Sequence, residues 1–197
     1  LHPRVRRQRQ MCIRDSDVDP LAVYRIANFK SSSRDADATS AVLKYDDYAH
    51  HVDYFNGMED ENIVQAIPNS ESSAWMKENI PLFECPDEDM EQMYYYRWWN
   101  LRKHIKETPV GYGMTEFLVN RSYADKYNLI ACAIGHHIYE SRWLRDPKYL
   151  DGIINTWYHG NDGKPMEKMM KFSSWNPDAV YGRYLVDGDL DALAKMY

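Results

Sequence analysis

Apolar residues return at helical spacing along most of the chain, after a polar leading stretch. Asp17 to Ser40 carries a serine run at 31–33 and scattered aspartates, which reads as a linker or disordered segment. From Ala41 to Met58 the apolar positions 42, 45, 48, 52 and 55 mark one helix face, closed by Gly57, with His50 and His51 on its solvated side. Ser70 to Asn79 reads as a short helix with Trp75 and Met76 inward, stopped by Pro81. The clearest helix opens at Pro86-Asp87-Glu88-Asp89 and runs to Lys106 through Met90, Met93, Tyr94, Trp98, Leu101 and Ile105. Acids fill its first turn and Arg102, Lys103, His104 and Lys106 its last, the order that complements a helix dipole.

Val110 to Asn120, with two glycines and β-forming residues, predicts a long loop or short hairpin carrying Glu116. A central helix is predicted from Asn128 to Arg145, beginning with an apolar run and then carrying His136, His137, Glu140, Arg142 and Arg145. Asp146-Pro147 punctuates it before a helix from Lys148 to His159 and a turn over Gly160 to Lys164. Asn176 reads as the N-cap of a helix over Ala179 to Val186, with Pro177 and Asp178 in its first turn. A last helix starts at Leu190. Beyond residue 82 this alternation is that of paired helical hairpins, and the fold class is all-α: a bundle, a solenoid or a toroid.

Residues 1–16 change the charge and are expected to be foreign. Arg6 to Ser16, RRQRQMCIRDS, is the in-frame translation of the end of a transposase-type sequencing adapter, so this segment is set aside. The 24 basic and 30 acidic residues then lose five arginines and one aspartate, leaving 19 and 29, and the net charge moves from −6 to −10. Such a body argues against a nucleic-acid partner. The uncapped ending DGDLDALAKMY adds the expectation of a fragment truncated at both ends. No stretch reaches the roughly 18–20 apolar residues of a membrane span. A periplasmic or secreted location is favoured, and the oligomeric state is not legible. Cys85 and Cys132 read as small buried hydrophobes.

Candidate chemistry concentrates in the second half. Aromatic residues make up 14% of the chain, and their faces suit the C–H face of a pyranose ring. Trp98, Trp99 and Trp175 are candidate binding surfaces. His136 and His137 stand at i, i+4 and i, i+3 to Glu140, a spacing that shares one helical face. A bundle metal site would need matching Glu-x-x-His motifs on other helices, and none occurs, so contacts to substrate hydroxyls are the better reading and neither metal nor cofactor is expected. Arg142 joins this binding set. Glycosidic hydrolysis uses two carboxylates, and Glu116, Glu140 and Asp178 are the ones set among aromatics. Asp178 lies at a helix start, which stabilises its charged form and counts against it as the acid. A Ser-His-Asp order, a P-loop and a dinucleotide fingerprint are all absent from the sequence.

Three strings carry a family resemblance: YYYRWWNLRKHIKETPVGYGMTEFL, KYNLIACAIGHHIYESRWLRDPKYLDGII and FSSWNPDAVYGRYLVDGD. From about Asn62 onward the chain resembles a Bacteroidetes branch of the mannosylglycerate-hydrolase-like glycoside hydrolases, among the six-hairpin glycosidases. That resemblance implies a partial (α/α)6 toroid over residues 83–197, preceded by a helical extension over 41–82. It implies an inverting hydrolase of a carbohydrate, with an aspartic acid in the first half and a glutamic base in the second. Relatives carry Trp-Asp near the start of the helix that here begins Gly135-His136-His137, so the acid is left among the three candidates. The alternative is a non-catalytic carbohydrate-binding helical protein, which needs aromatics but no facing carboxylates. Sequencing reads that cross this region are expected to show genomic sequence upstream of Asp17 unlike the adapter codons; agreement with them would retain residues 1–16 as native.

Overall fold

The computed structural model describes residues 43–172 and 175–196. The expectations for residues 1–42, the adapter-like segment and linker among them, fall outside these, as do Ser173 and Ser174. Helices dominate the described residues, with a single two-stranded hairpin among them.

A 3-10 turn over Tyr45–Asp47 leads into α1, Ala49–Asn56. Tyr45, Tyr48, Val52 and Phe55 are buried, as the spacing predicts. His51 is buried as well, against expectation, whereas His50 is exposed. It lies on the same face as Tyr48 and Phe55, where Glu91 supplies a polar partner 3.1 Å from its Nε2 and the Tyr95 ring stacks at 5.2 Å. Helix α2, Ser72–Asn79, buries Trp75 and Met76 as expected.

Helix α3, Glu88–His104, begins where the sequence predicts. The Asp87 side chain accepts from the backbone N–H of Asp89 and Met90, both at 3.1 Å. It ends two residues early. Pro109 pushes Thr108 toward extended backbone, and Ile105–Thr108 becomes β1, paired antiparallel with β2, Gly111–Met114.

The central helix is far shorter than predicted. Leu129 and Ile130 are extended, Ala131–Ala133 is a 3-10 turn, and only Ile134–Ser141 forms an α-helix, α4. The cause is Asn128, whose φ of 64° is left-handed. Its side chain donates to the Phe117 and Val119 carbonyls at 3.0 and 3.2 Å and accepts from Arg121 N at 2.8 Å. It staples a loop instead of starting a helix. Cys132 is exposed in the 3-10 turn between buried Ala131 and Ala133, and Cys85 is half-buried, so neither is the core hydrophobe expected.

Helix α5, Pro147–His159, starts on Asp146, whose side chain accepts from Lys148 N at 3.0 Å. It lies directly on the hairpin: a Cβ at Gly152 would stand 2.4 Å from Tyr112 N. Thr156 donates to the Tyr112 carbonyl at 2.8 Å and Asn155 to the Val110 carbonyl at 2.6 Å, which straps β2 to the helix. Helix α6 spans Asn176–Asp187 with Trp175 at the N-cap, so Asn176 lies inside the first turn and does not cap it. Gly188, at φ 68°, turns the chain into α7, Leu190–Ala194, capped by the Asp189 side chain.

Gly152→Ala is expected to destabilise the chain by about 2–3 kcal/mol, because a new methyl meets backbone that is hydrogen-bonded in place. Gly57→Ala serves as the control: its φ is −79° and its new Cβ would meet neighbours only at 3.5 Å, so little change is expected. Urea unfolding midpoints decide between a selective effect at Gly152 and none.

Candidate active-site groove

Helices α3 and α4 border one groove. Tyr94, Arg97, Trp98, Leu101 and His104 follow one stripe of α3 at steps of three or four residues. Across from them α4 presents His137 and Glu140, followed by Trp143 beyond its end. The groove holds two adjoining cavities of about 220 and 370 Å³, which share Arg97, Leu101 and Glu140. The smaller is lined further by Tyr94, Trp98, Tyr139 and Trp143. The larger adds Tyr96, Asn100, His104, Met114, Thr115, Glu116 and His137.

Each polar group is placed by its element. Glu140 forms an ion pair with the Arg97 guanidinium across the groove. Glu116 is exposed on the loop that leaves β2. Buried Thr115, just before it, donates to the Asn128 carbonyl at 2.5 Å and accepts from Phe117 N at 3.1 Å, which fixes the loop. His104 donates from Nδ1 to the Thr115 carbonyl at 2.8 Å, so Nε2 of the neutral ring is an acceptor. Burial holds the His104 pKa below its ordinary value, outweighing that hydrogen bond. Burial also pushes His137 down to about 4, with smaller contributions from His104 and His136. His137 Nδ1 is buried without a hydrogen-bond partner among the described residues. The larger cavity therefore faces two carboxylates, one guanidinium and two neutral imidazoles.

The other predicted site residues gather on the face of α4 turned to α6. The Trp175 indole lies over Gly135, where a Cβ would stand 2.6 Å from the ring. His136 meets its ring edge-on at 4.9 Å and Tyr139 at 5.0 Å. The Tyr139 hydroxyl donates to Asp178 at 2.8 Å, and Arg142 covers the Tyr139 ring at 4.1 Å. Asp178 thus sits with Trp175, His136 and Arg142, away from the lining of either cavity. Trp99 lines neither cavity: its Nε1 donates to Asn56 at 2.8 Å and its ring packs on Phe55. The groove thus lies between two helices, α3 and α4, with the loop after β2 at one end.

Sequence reasoning passed over Arg97, Asn100, His104 and Thr115. The first three share the helical stripe that holds Leu101, a signal present in the spacing, but His104 also fits the basic last turn and was read that way. Nothing local in the sequence brings Thr115 to this cavity. Among the described residues no group of three or more His, Cys, Asp or Glu side chains could hold a metal ion, and no helix is long and apolar enough to cross a membrane.

The fold and the site together define a helical scaffold with a groove of carboxylates and aromatics. More narrowly, residues 126–197 match the model of the mannosylglycerate hydrolase MGH1-like glycoside hydrolase domain, so this part of the chain is similar to that family. Among solved structures, a Bacteroides protein named "Sialidase" is similar at 76% identity with a TM-score of 0.79. The match covers 84% of this chain and 15% of that one, so the chain spans a small part of its relative's length.

Because the folded pKa of His137 lies below the unfolded value, the unfolded chain binds the proton first as pH falls. Stability is therefore full above about pH 6.5 and lost on the way down to about 4. Between pH 7 and 5 the loss is expected to be about 2 kcal/mol, and His137→Gln should flatten it. Urea titrations at both pH values check this; an unchanged slope in His137→Gln would remove His137 as the source.

Proposed function

We propose that the groove is the substrate site of a glycoside hydrolase, with Glu116 its general acid and Glu140 a second carboxylate that contacts the sugar. One observation carries this reading: Glu116 from the loop after β2 and Glu140 from α4 line the same cavity. A binding module has no need of a carboxylic acid facing neutral imidazoles across a cavity of this size, whereas cleavage of a glycosidic bond needs a general acid there. Glu140 is engaged by a guanidinium, which favours the ionised carboxylate. Glu116, with no such partner in the cavity, is assigned the role of general acid. His137 and His104 offer hydrogen bonds to sugar hydroxyls: His104 accepts at Nε2, its Nδ1–H being held by Thr115, and the neutral His137 ring carries one donor and one acceptor.

In this reading residues 83–197 form the first part of an (α/α)6 toroid and residues 41–82 an extension that braces α3. The enzyme is an inverting one, and its base comes from polypeptide beyond this chain, in keeping with the 15% of a relative that the chain spans. The 197-residue chain alone then hydrolyses no glycoside.

The test is to assay the complete reading frame against a panel of α- and β-linked glycosides. Glu116→Gln and Glu140→Gln are each expected to lower kcat/KM by at least about 100-fold. Asp178→Asn should stay within a few-fold of the parent, since its carboxylate is bonded to Tyr139 on the α6 side. Full activity in both glutamine variants, or robust hydrolysis by the 197-residue chain, would sink the proposal.

A further inference from the structure

Arg97 and Glu140 divide the groove into halves of different chemistry. On one side Tyr94, Trp98, Tyr139 and Trp143 line the smaller cavity. The Tyr94 hydroxyl is engaged by the Pro81 carbonyl at 2.7 Å, and that of Tyr139 by Asp178, so these two residues offer carbon surface more than polar atoms. On the other side stand Asn100, His104, Glu116 and His137, with the His137 Nδ1 buried and unpartnered among the described residues. The dividing ion pair is open to solvent, with the Arg97 side chain 66% exposed, so little burial is lost if the guanidinium swings aside.

Resting on the glycosidase reading above, we propose that the groove takes a glycoside in two parts. A sugar ring occupies the polar half, its hydroxyls meeting the histidines and Asn100. A group with a flat, apolar face occupies the aromatic half, stacked between Trp143 and the α3 rings. Two sources share that chemistry: an aromatic aglycone, or a second pyranose presenting its C–H face. Arg97 marks the boundary, and a ligand that spans both halves displaces its guanidinium from Glu140.

The test measures dissociation constants by calorimetry on the complete polypeptide. The probes are methyl glycosides, phenyl glycosides and disaccharides of glucose, galactose and mannose in both anomeric forms. For a sugar that binds, the phenyl glycoside or the disaccharide is expected to bind about tenfold more tightly than the methyl glycoside. Which of the two gains identifies the source of the flat face. Trp143→Ala should bring the ratio close to one while leaving methyl glycoside binding in place, and Trp98→Phe should reduce the ratio in part. Equal constants across all three probes, binding by none, or a preference that survives Trp143→Ala overturns the proposal. Failure here with hydrolysis still dependent on Glu116 and Glu140 removes the two-part groove and keeps the glycosidase. Loss of that dependence with the aromatic preference intact does the reverse.

Discussion

A helix covered on two sides must divide its side chains between two neighbours, and α3 does so residue by residue. Steps of 100° send Tyr95, Trp99, Arg102 and Lys103 toward the N-terminal elements, while Tyr94, Arg97, Trp98, Leu101 and His104 face the groove. The buried Arg102 guanidinium fixes this division. It donates to the Ile67 carbonyl and to Asn69 at 2.7 Å each, and it lies 5.2 Å from the Trp99 ring centre. Burial lowers its pKa to about 10, so the group stays charged at neutral pH. Both terminal nitrogens of this buried cation are answered, while Nε has no hydrogen-bond partner among the described residues, and the two bonds hold α3 in one rotation about its axis. Lys103, paired with Glu59 and 4.9 Å from the same indole, adds to the hold. The groove residues inherit their direction from bonds made on the opposite side of their own helix.

The far end of the groove is set by a second close approach. Gly152 lets α5 rest on the backbone of β2, and Thr156 and Asn155 hydrogen-bond the hairpin in that position. The hairpin continues directly into Thr115, whose bond to the Asn128 carbonyl aims the next residue, Glu116. One carboxylate of the cavity thus depends on a glycine in a helix that does not line it. The other depends on α4, where Gly135 accepts an indole on the outer face while His137 and Glu140 look inward. A glycine and histidines stand where the resemblance would put Trp-Asp, and Trp175 fills the space above them.

Those parts of the fold that rest on local chemistry were legible in the sequence. The start of α3, the whole of α5 and the turn before α7 follow from caps, prolines and glycines acting on their own neighbours. The central helix was not, because Asn128 answers to three backbone groups from the loop over residues 117–121. An apolar run beside it looks helical until that tertiary demand is known. The site shows the same split. Glu140 and His137 share a helical face by spacing alone, whereas Asp178 joins a different neighbourhood because α6 packs against the other face of α4. His51 could be placed only once Glu91 was known to stand opposite it.

The family match begins at Lys126, and this boundary cuts through the groove. Glu140, His137 and Trp143 fall inside the matched segment; Arg97, His104 and Glu116 fall before it. Taken alone, the matched segment would leave Glu140 without its guanidinium and His137 without the wall that buries it. The residues that line the cavity beside His137, and the guanidinium paired with Glu140, come from α3 and the loop after β2, all before that boundary. The surroundings of His137 and Glu140 are therefore a property of the joined segments and of neither alone. In physical terms the groove reaches back at least to α3. Since α3 is held in rotation by Ile67 and Asn69, the groove depends on the loop before α2 as well.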